Sequence, residues 1–435
     1  MSRRSTATDN WTRLAVFLLL GFWLVGKPFA YVGGPLGIAL FFNRALIHDW
    51  YAALTRRTAL SGLLWTLLLS VMYGIGEVVY GTVLGNSPLV ALRILAFNLF
   101  PFFLFLGIWA GVRQPNFVRR FIQFNAWLTT IGAPVYFLFL QKHNIVIPGI
   151  GSGSNTLLGL FCFERNLTFF WLPIAVCSFM TIANQIRADW LGFGIALVIW
   201  AVATKKIGRV AAIAGGIVAL LLIGFIADVR IPAMPGRGGE ISARDTVGRA
   251  MSSINPELAR EYSKDSGSYN GTVYWRQTWW AAIRSAVSEN PTTLLFGLGY
   301  GYPINELGPG DLKNSSDIVT PHSIIYFTLC FSGCIGVCIF FTLQANILLL
   351  LWRTYKRTGQ IFGFVSYIAT LVGACFGNLF ESPQMAIPVY LFIGMCIGPL
   401  FIARVVTRER VDPSRQLVRM NRSPKLEPRR VTAQV

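Results

Sequence analysis

A histidine opens the stretch "PHSIIYFTLCFSG", residues 321–333. The chain has only three histidines, and His322 stands where a polar connection gives way to a long apolar run. An imidazole at such a boundary stays hydrated enough to titrate near neutrality, as a general base requires. The plainer alternative is a helix-start residue bonding a backbone group. Arginines accompany it. Arg187, in "NQIRADWLG" (184–192), lies in a short break between two apolar runs. A guanidinium near hydrocarbon is costly, about 2.5–3.5 kcal/mol at the bilayer centre and less toward the interface. It therefore pairs, for which Asp189 is at hand, or snorkels, or binds a ligand. Arg276 belongs to "NGTVYWRQTWWAAIRSAVSENP" (270–291), where Trp275, Trp279, Ile283 and Val287 recur every four residues. Arg276 and Arg284 fall on the more polar side of that helical pattern. Asn270 or Thr272 is the expected cap, Pro291 the expected end, and the membrane interface the expected location.

Three weaker features complete the set. "FGLGYGYPINELGPGD" (296–311) is a glycine-rich irregular loop whose amides offer an anion site. Glu77 and Arg93, near the ends of neighbouring apolar runs, form a candidate ion pair, and each is also a further site candidate. Glu381, in "NLFESPQ", is another. The long polar connection holds no His/Cys cluster and no close carboxylate pair, so neither a metal nor another cofactor is expected. Two or three fixed arginines can do a metal's electrostatic work on a diphosphate, because Arg binds phosphate oxygens bidentately and stays charged. One base plus several arginines suits a reaction in which a lipid diphosphate leaves and a hydroxyl attacks.

These residues need elements to hold them. The chain has 435 residues, 54% hydrophobic and 13% charged, against roughly a quarter charged in a soluble domain. Many apolar runs reach the ~20 residues that cross a bilayer as a helix, and none shows the alternating segments of a barrel strand. The expected fold is an all-α integral membrane protein of about twelve transmembrane helices with one large periplasmic loop containing an amphipathic helix. The spans fall near 12–26, 29–46, 59–80, 88–111, 118–140, 147–163, 167–185, 188–204, 209–228, 322–352, 360–379 and 385–404. The organisation is a cytoplasmic N-terminal tail (1–11), nine helices (12–228), the loop (229–321), three helices (322–404) and a basic cytoplasmic tail (405–435). "SRRST" near the start faintly suggests a twin-arginine signal, but no small-x-small cleavage site follows, and a cytoplasmic tail is the expectation.

Charge orients the map. The short connections holding Arg56 and Arg57, Arg119 and Arg120, Lys205 and Lys206, and Lys356 and Arg357 are basic. The positive-inside rule places all of them, with both termini, in the cytoplasm of a bacterial inner membrane. His322, Arg187 and Arg276 then share the outer face. The large loop balances its acids and bases, so the net charge of +19 lies elsewhere. That basicity marks topology and a tail lying on anionic headgroups, and no nucleic-acid motif is present. The seven cysteines all fall in apolar runs; Cys330, Cys334 and Cys338 share one helix face, and packing is their expected role.

At this point the chain resembles the bacterial O-antigen ligase and O-antigen polymerase superfamily. Its ligases carry R-x-x-x-L and, later, H-x(10)-G, here "RADWL" from Arg187 and "HSIIYFTLCFSG" from His322 to Gly333. The stretch around Arg276 looks like the family's pre-histidine loop. Two departures touch the acceptor: Ser323 follows the histidine where many members have asparagine, and Ser332 precedes the glycine where many have arginine. The resemblance implies a donor glycan on undecaprenyl diphosphate, Arg187 and Arg276 on the diphosphate, and His322 on the acceptor hydroxyl, with inversion and without metal. The acceptor, a glycan, lipid A–core or a protein serine, stays open. A transporter or flippase of lipid-linked glycan is the rival. It predicts charges along a mid-membrane path in two related halves, and a non-catalytic envelope scaffold is a third reading.

Overall fold

The computed structural model describes residues 14–18, 35–39, 60–135, 153–163, 171–232, 240–252, 255–262, 266–310 and 320–401. Most of the first two expected spans and both tails, 1–11 and 405–435, lie outside the described residues, as do 136–152 and 164–170. Each other expected span is helical over most of its described part. α1 is Ser61–Val83, α2 Pro88–Leu95, α3 Phe103–Arg113 and α4 Phe117–Val135. α5 is Gly153–Phe163, α6 Trp171–Ala183, α7 Arg187–Thr204 and α8 Ile207–Ile226. After the loop come α13 (Ile324–Thr358), α14 (Phe362–Cys375) and α15 (Pro383–Ile397). Helices are the natural answer for such runs, since hydrocarbon offers no partner to a free backbone amide. Among the described residues six helices are long and apolar enough to cross a membrane: Ser61–Val83, Pro88–Arg113, Arg187–Thr204, Ile207–Ile226, Ile324–Thr358 and Pro383–Phe401. This is a multi-pass membrane protein; the count of twelve is not reached within those residues.

Two expected spans are not continuous. The run 88–111 breaks after α2 into two 3-10 turns, Ala96–Asn98 and Phe100–Phe102, before α3 resumes. Pro101 sits in the second turn, where it lacks an amide to donate and crowds the preceding carbonyl. The tenth span is kinked at Gly333, whose φ 57 and ψ −163 leave the helical region.

Packing is tightest where small residues face each other. Gly111 on α3 lies so close to α15 that an added Cβ would stand 2.5 Å from the Met395 carbonyl oxygen, and one on Gly398 would stand 2.6 Å from the Gly111 carbonyl carbon. Such contacts hold helices together in lipid, where burial of apolar surface supplies no drive. α15 is almost wholly buried in the centre, whereas α8 has no buried residue.

The large loop is more structured than a single amphipathic helix. Strands β1 (Arg230–Pro232) and β2 (Glu240–Ser242) pair antiparallel with Ile231 opposite Ile241. Then come α9 (Ala243–Met251), α10 (Pro256–Tyr262), α11 (Ser266–Val287) and α12 (Pro291–Phe296). Ser242 caps α9, accepting from the Asp245 amide at 3.0 Å. α11 is the Trp-rich helix. It starts at Ser266, so neither Asn270 nor Thr272 is its cap, and Pro291 is the first residue of α12, capped by Asn290. The expected apolar face is real: Trp279, Ile283 and Val287 are fully buried in the main core. The Trp279 indole donates to the Ile304 carbonyl at 3.3 Å. The face is thus covered by protein rather than left for lipid.

Candidate functional site

His322 immediately precedes α13, with Ser323 as the N-cap. Its φ of 52 is left-handed, uncommon for a residue with a Cβ, and such a conformation persists only where the surroundings impose it. α11 supplies part of that constraint. The Trp280 indole donates to the Pro321 carbonyl at 2.8 Å and its ring stacks on Tyr326, centroids 4.9 Å apart. The Trp275 ring lies 5.8 Å from the imidazole. The four-residue period that marked Trp275 and Trp279 therefore packs α11 onto both the core and the histidine. His322 is half-buried. Burial, and then the Arg276 guanidinium, hold its pKa below the ordinary 6.5.

Arg276 projects from α11 and donates through Nη1 to the Phe376 carbonyl at 3.0 Å, in the connection that follows α14. Arg187 is the first residue of α7, set there by a left-handed turn at Gln185, φ 54. Its Nη1 donates to Ser252 Oγ at 2.7 Å. Arg276 and Arg249 both act electrostatically on Arg187. Arg249, on α9, is 7% exposed, and its carbonyl accepts from the Ser252 hydroxyl at 2.9 Å. Three guanidinium groups, from α7, α9 and α11, thus gather at the histidine end of the bundle. Like charges brought together in a partly dry space create a strong field for an anion. Arg249 was not singled out from the sequence. It sits in "SARDTVGRAM", a capped polar helix with nothing to mark one arginine from its neighbours.

The remaining candidates separate. Arg93, in the last turn of α2, and Arg284, on α11, are exposed, and no contact among the described residues joins either to His322 or to the three arginines. No ion pair joins Glu77 to Arg93. Glu77 is buried beside Tyr73, whose hydroxyl donates to the Ser332 carbonyl at 2.8 Å. Glu381 is 4% exposed, in the connection between α14 and α15. Among the described residues no three His, Cys, Asp or Glu side chains group as a metal set.

The glycine-rich loop is a mechanical part. Two of its amides make short bonds to protein: Leu298 N–H donates to the Cys330 carbonyl at 2.7 Å and Gly297 N–H to that of Thr293 at 2.7 Å. Those two donors are not open to an anion. Instead the loop is pressed between two helices. A Cβ on Gly297 would stand 2.6 Å from the Gly333 amide nitrogen, and one on Gly299 would stand 2.7 Å from Gly81 Cα of α1. Gly333 closes the His322 motif because only glycine lets α13 kink there and admit the loop backbone.

Fold and site together define a polytopic membrane protein that presents a histidine and an arginine cluster at one end of its helices. Residues 172–341 match the family model described as O-antigen ligase, and this stretch of the chain is a domain of that family, one of membrane glycosyltransferase-type enzymes. The match spans Arg187, Arg249, Arg276, His322 and Gly333, and stops short of Glu381. No curated protein matches the chain.

Proposed function

We propose that the protein transfers a glycan from undecaprenyl diphosphate to an acceptor hydroxyl at the periplasmic face of a bacterial inner membrane. The observation that carries this reading is the cluster in which Arg249 and Arg276 both act on Arg187 while Arg276 also acts on His322. The acceptor oxygen attacks the anomeric carbon opposite the leaving group, and the glycosyl–phosphate bond breaks with inversion. The electron pair goes to the diphosphate oxygen. The arginines are placed to stabilise that developing charge, the kind of preorganised electrostatics that dominates many rate enhancements. His322, neutral at physiological pH because imidazolium is disfavoured there, takes the hydroxyl proton. The arginine charges replace a metal in this scheme. Basic connections on the opposite side, such as that of Lys205 and Lys206 between α7 and α8, support the outside placement of the site. The loop of residues 229–321 acts as the site's outer wall, the tails lie in the cytoplasm, and the acceptor is a glycan, lipid A–core or a protein hydroxyl.

The test uses purified protein in liposomes with an undecaprenyl-diphosphate oligosaccharide and each acceptor class. Free undecaprenyl diphosphate is followed with and without EDTA, and in folded His322→Ala and Arg276→Ala variants. Release that survives EDTA and collapses in both variants supports the reading, and the productive acceptor names the subclass. Flipping of intact donor without release under any acceptor overturns it.

A further inference from the structure

The connection of residues 376–382, between α14 and α15, touches both halves of the site. At its start the Phe376 carbonyl accepts from Arg276. Near its end Glu381 is buried, and neither carboxyl oxygen has a hydrogen-bond partner. The groups facing that carboxyl are the Thr320 hydroxyl and the Ser323 amide, which flank His322 on either side; they approach without completing hydrogen-bond geometry. Ser323 is 1% exposed and its Oγ is likewise without a partner. Orphaned buried polar groups are rare in folded proteins and call for a reason. Here two such groups, the Glu381 carboxyl and the Ser323 hydroxyl, belong to residues that meet at the turn carrying the histidine, through the Ser323 amide. That turn is left-handed at His322, and α11 holds its flanks through Trp280, which bonds the Pro321 carbonyl and stacks on Tyr326.

We propose that Glu381 is a positioning residue for His322: its carboxyl engages the Thr320–Ser323 segment, directly or through one buried water, and holds the left-handed turn that aims the imidazole. This rests on the transfer reading above. Burial raises Glu381 to about 8, so near neutrality the side chain is mainly the acid, able both to donate and to accept. Above that range it becomes an anion with no cation against it. The titratable and charged groups on the elements around it include His322 before α13, Tyr326 on α13, Arg276 on α11, Asp189 on α7, Cys375 and Tyr367 on α14 and Tyr390 on α15; none of them contributes to the shift. Ionisation therefore adds an unpaired buried charge beside the His322 turn, and the turn loosens.

The experiment measures kcat and donor KM from neutral to alkaline pH for the wild type, Glu381→Gln and Glu381→Ala in liposomes. Each is normalised to folded protein by thermal unfolding. Glu381→Ala is expected to lower kcat about tenfold or more with donor KM nearly unchanged, the signature of misplacement rather than lost binding. Glu381→Gln, neutral at every pH and of the same shape, is expected to keep most of kcat and to lack the alkaline fall that the wild type shows near pH 8. An unchanged alkaline fall in Glu381→Gln, or a wild-type kcat in Glu381→Ala, overturns the proposal. If Glu381→Ala does not fold, the glutamine profile alone decides. A wild type with no transfer at all refutes the transfer reading and removes this proposal's basis with it; active wild type with indifferent Glu381 variants refutes only the positioning role.

Discussion

Replacing Gly333 by alanine should be among the most damaging single-methyl changes in the protein. Three costs coincide there. The backbone at φ 57, ψ −163 belongs to a region that essentially only glycine occupies, which for alanine costs roughly 1–3 kcal/mol. The new methyl would overlap the Leu295 carbonyl and stand 2.5 Å from the Gly297 nitrogen. Both neighbours are backbone, so no side chain can swing aside, and overpacking of this kind costs about 1–3 kcal/mol. Pushing the loop away also weakens the bond from Leu298 N–H to the Cys330 carbonyl, worth about 1 kcal/mol. Together roughly 3–7 kcal/mol is at stake, a large part of typical domain stability. The assay is thermal unfolding in detergent beside donor turnover, with two glycine controls. Gly359 has φ 75 and open space around its Cβ position, so Gly359→Ala tests strain without collision, at about 1–2 kcal/mol. Gly216 lies within α8 with nothing within 4 Å, and its alanine variant should be neutral or slightly stabilising. The expected order of midpoints is Gly216→Ala highest, Gly359→Ala next and Gly333→Ala clearly lowest. A Gly333→Ala midpoint no lower than that of Gly359→Ala would refute the claim that loop and helix backbones are in contact.

Other outcomes follow from the site. His322→Ala should cut transfer about 10²–10⁴-fold with little change in midpoint, read by donor turnover at matched folded protein. Arg249→Ala should lower kcat/KM about ten- to a hundredfold, as loss of one charge-assisted contact does, and Arg249→Lys should restore little of it; unchanged kinetics would remove Arg249 from the anion site. The acid limb of the kcat/KM profile should lie below pH 6.5, because burial and Arg276 both disfavour the imidazolium and the base stays neutral as pH falls. In Arg276→Gln the repulsion is gone, so that limb should move upward while staying below the unperturbed value; a downward move would contradict the assignment.

The parts of this arrangement that lie within one apolar run or one helical period were legible from sequence. His322 and Arg187 stand at run boundaries, and the Trp279–Ile283–Val287 face follows from spacing alone. Arg249 was not legible, because what distinguishes it is proximity to Arg187, across 62 positions of chain, and local pattern carries no such information. The start of α11 was misplaced for a different reason. "SGSYN" has poor helix propensity, yet adding residues to an existing long helix costs far less than nucleating one. The break at Pro101 was written in the residues, but hydropathy averages across it. Glu77 and Arg93 looked like partners because both end neighbouring runs, and the fold turns Arg93 outward while Tyr73 sits beside the carboxylate.

The arginines are mounted on separate stretches: Arg187 at the tip of a span, Arg249 and Arg276 on two helices of the loop. Their mutual repulsion acts along the line that joins the loop to the spans. An anion seated among them therefore does two things that cannot be told apart thermodynamically: it is bound, and it draws α9 and α11 toward α7. By reciprocity, whatever tightens that closure raises anion affinity by the same factor, and whatever loosens it lowers affinity equally. On the proposed reading, substitutions far from any substrate atom, at the foot of α9 or in β1 and β2, would be affinity variants of the donor, and the small two-stranded ribbon that looks incidental to the chemistry would help to set how tightly a diphosphate is held.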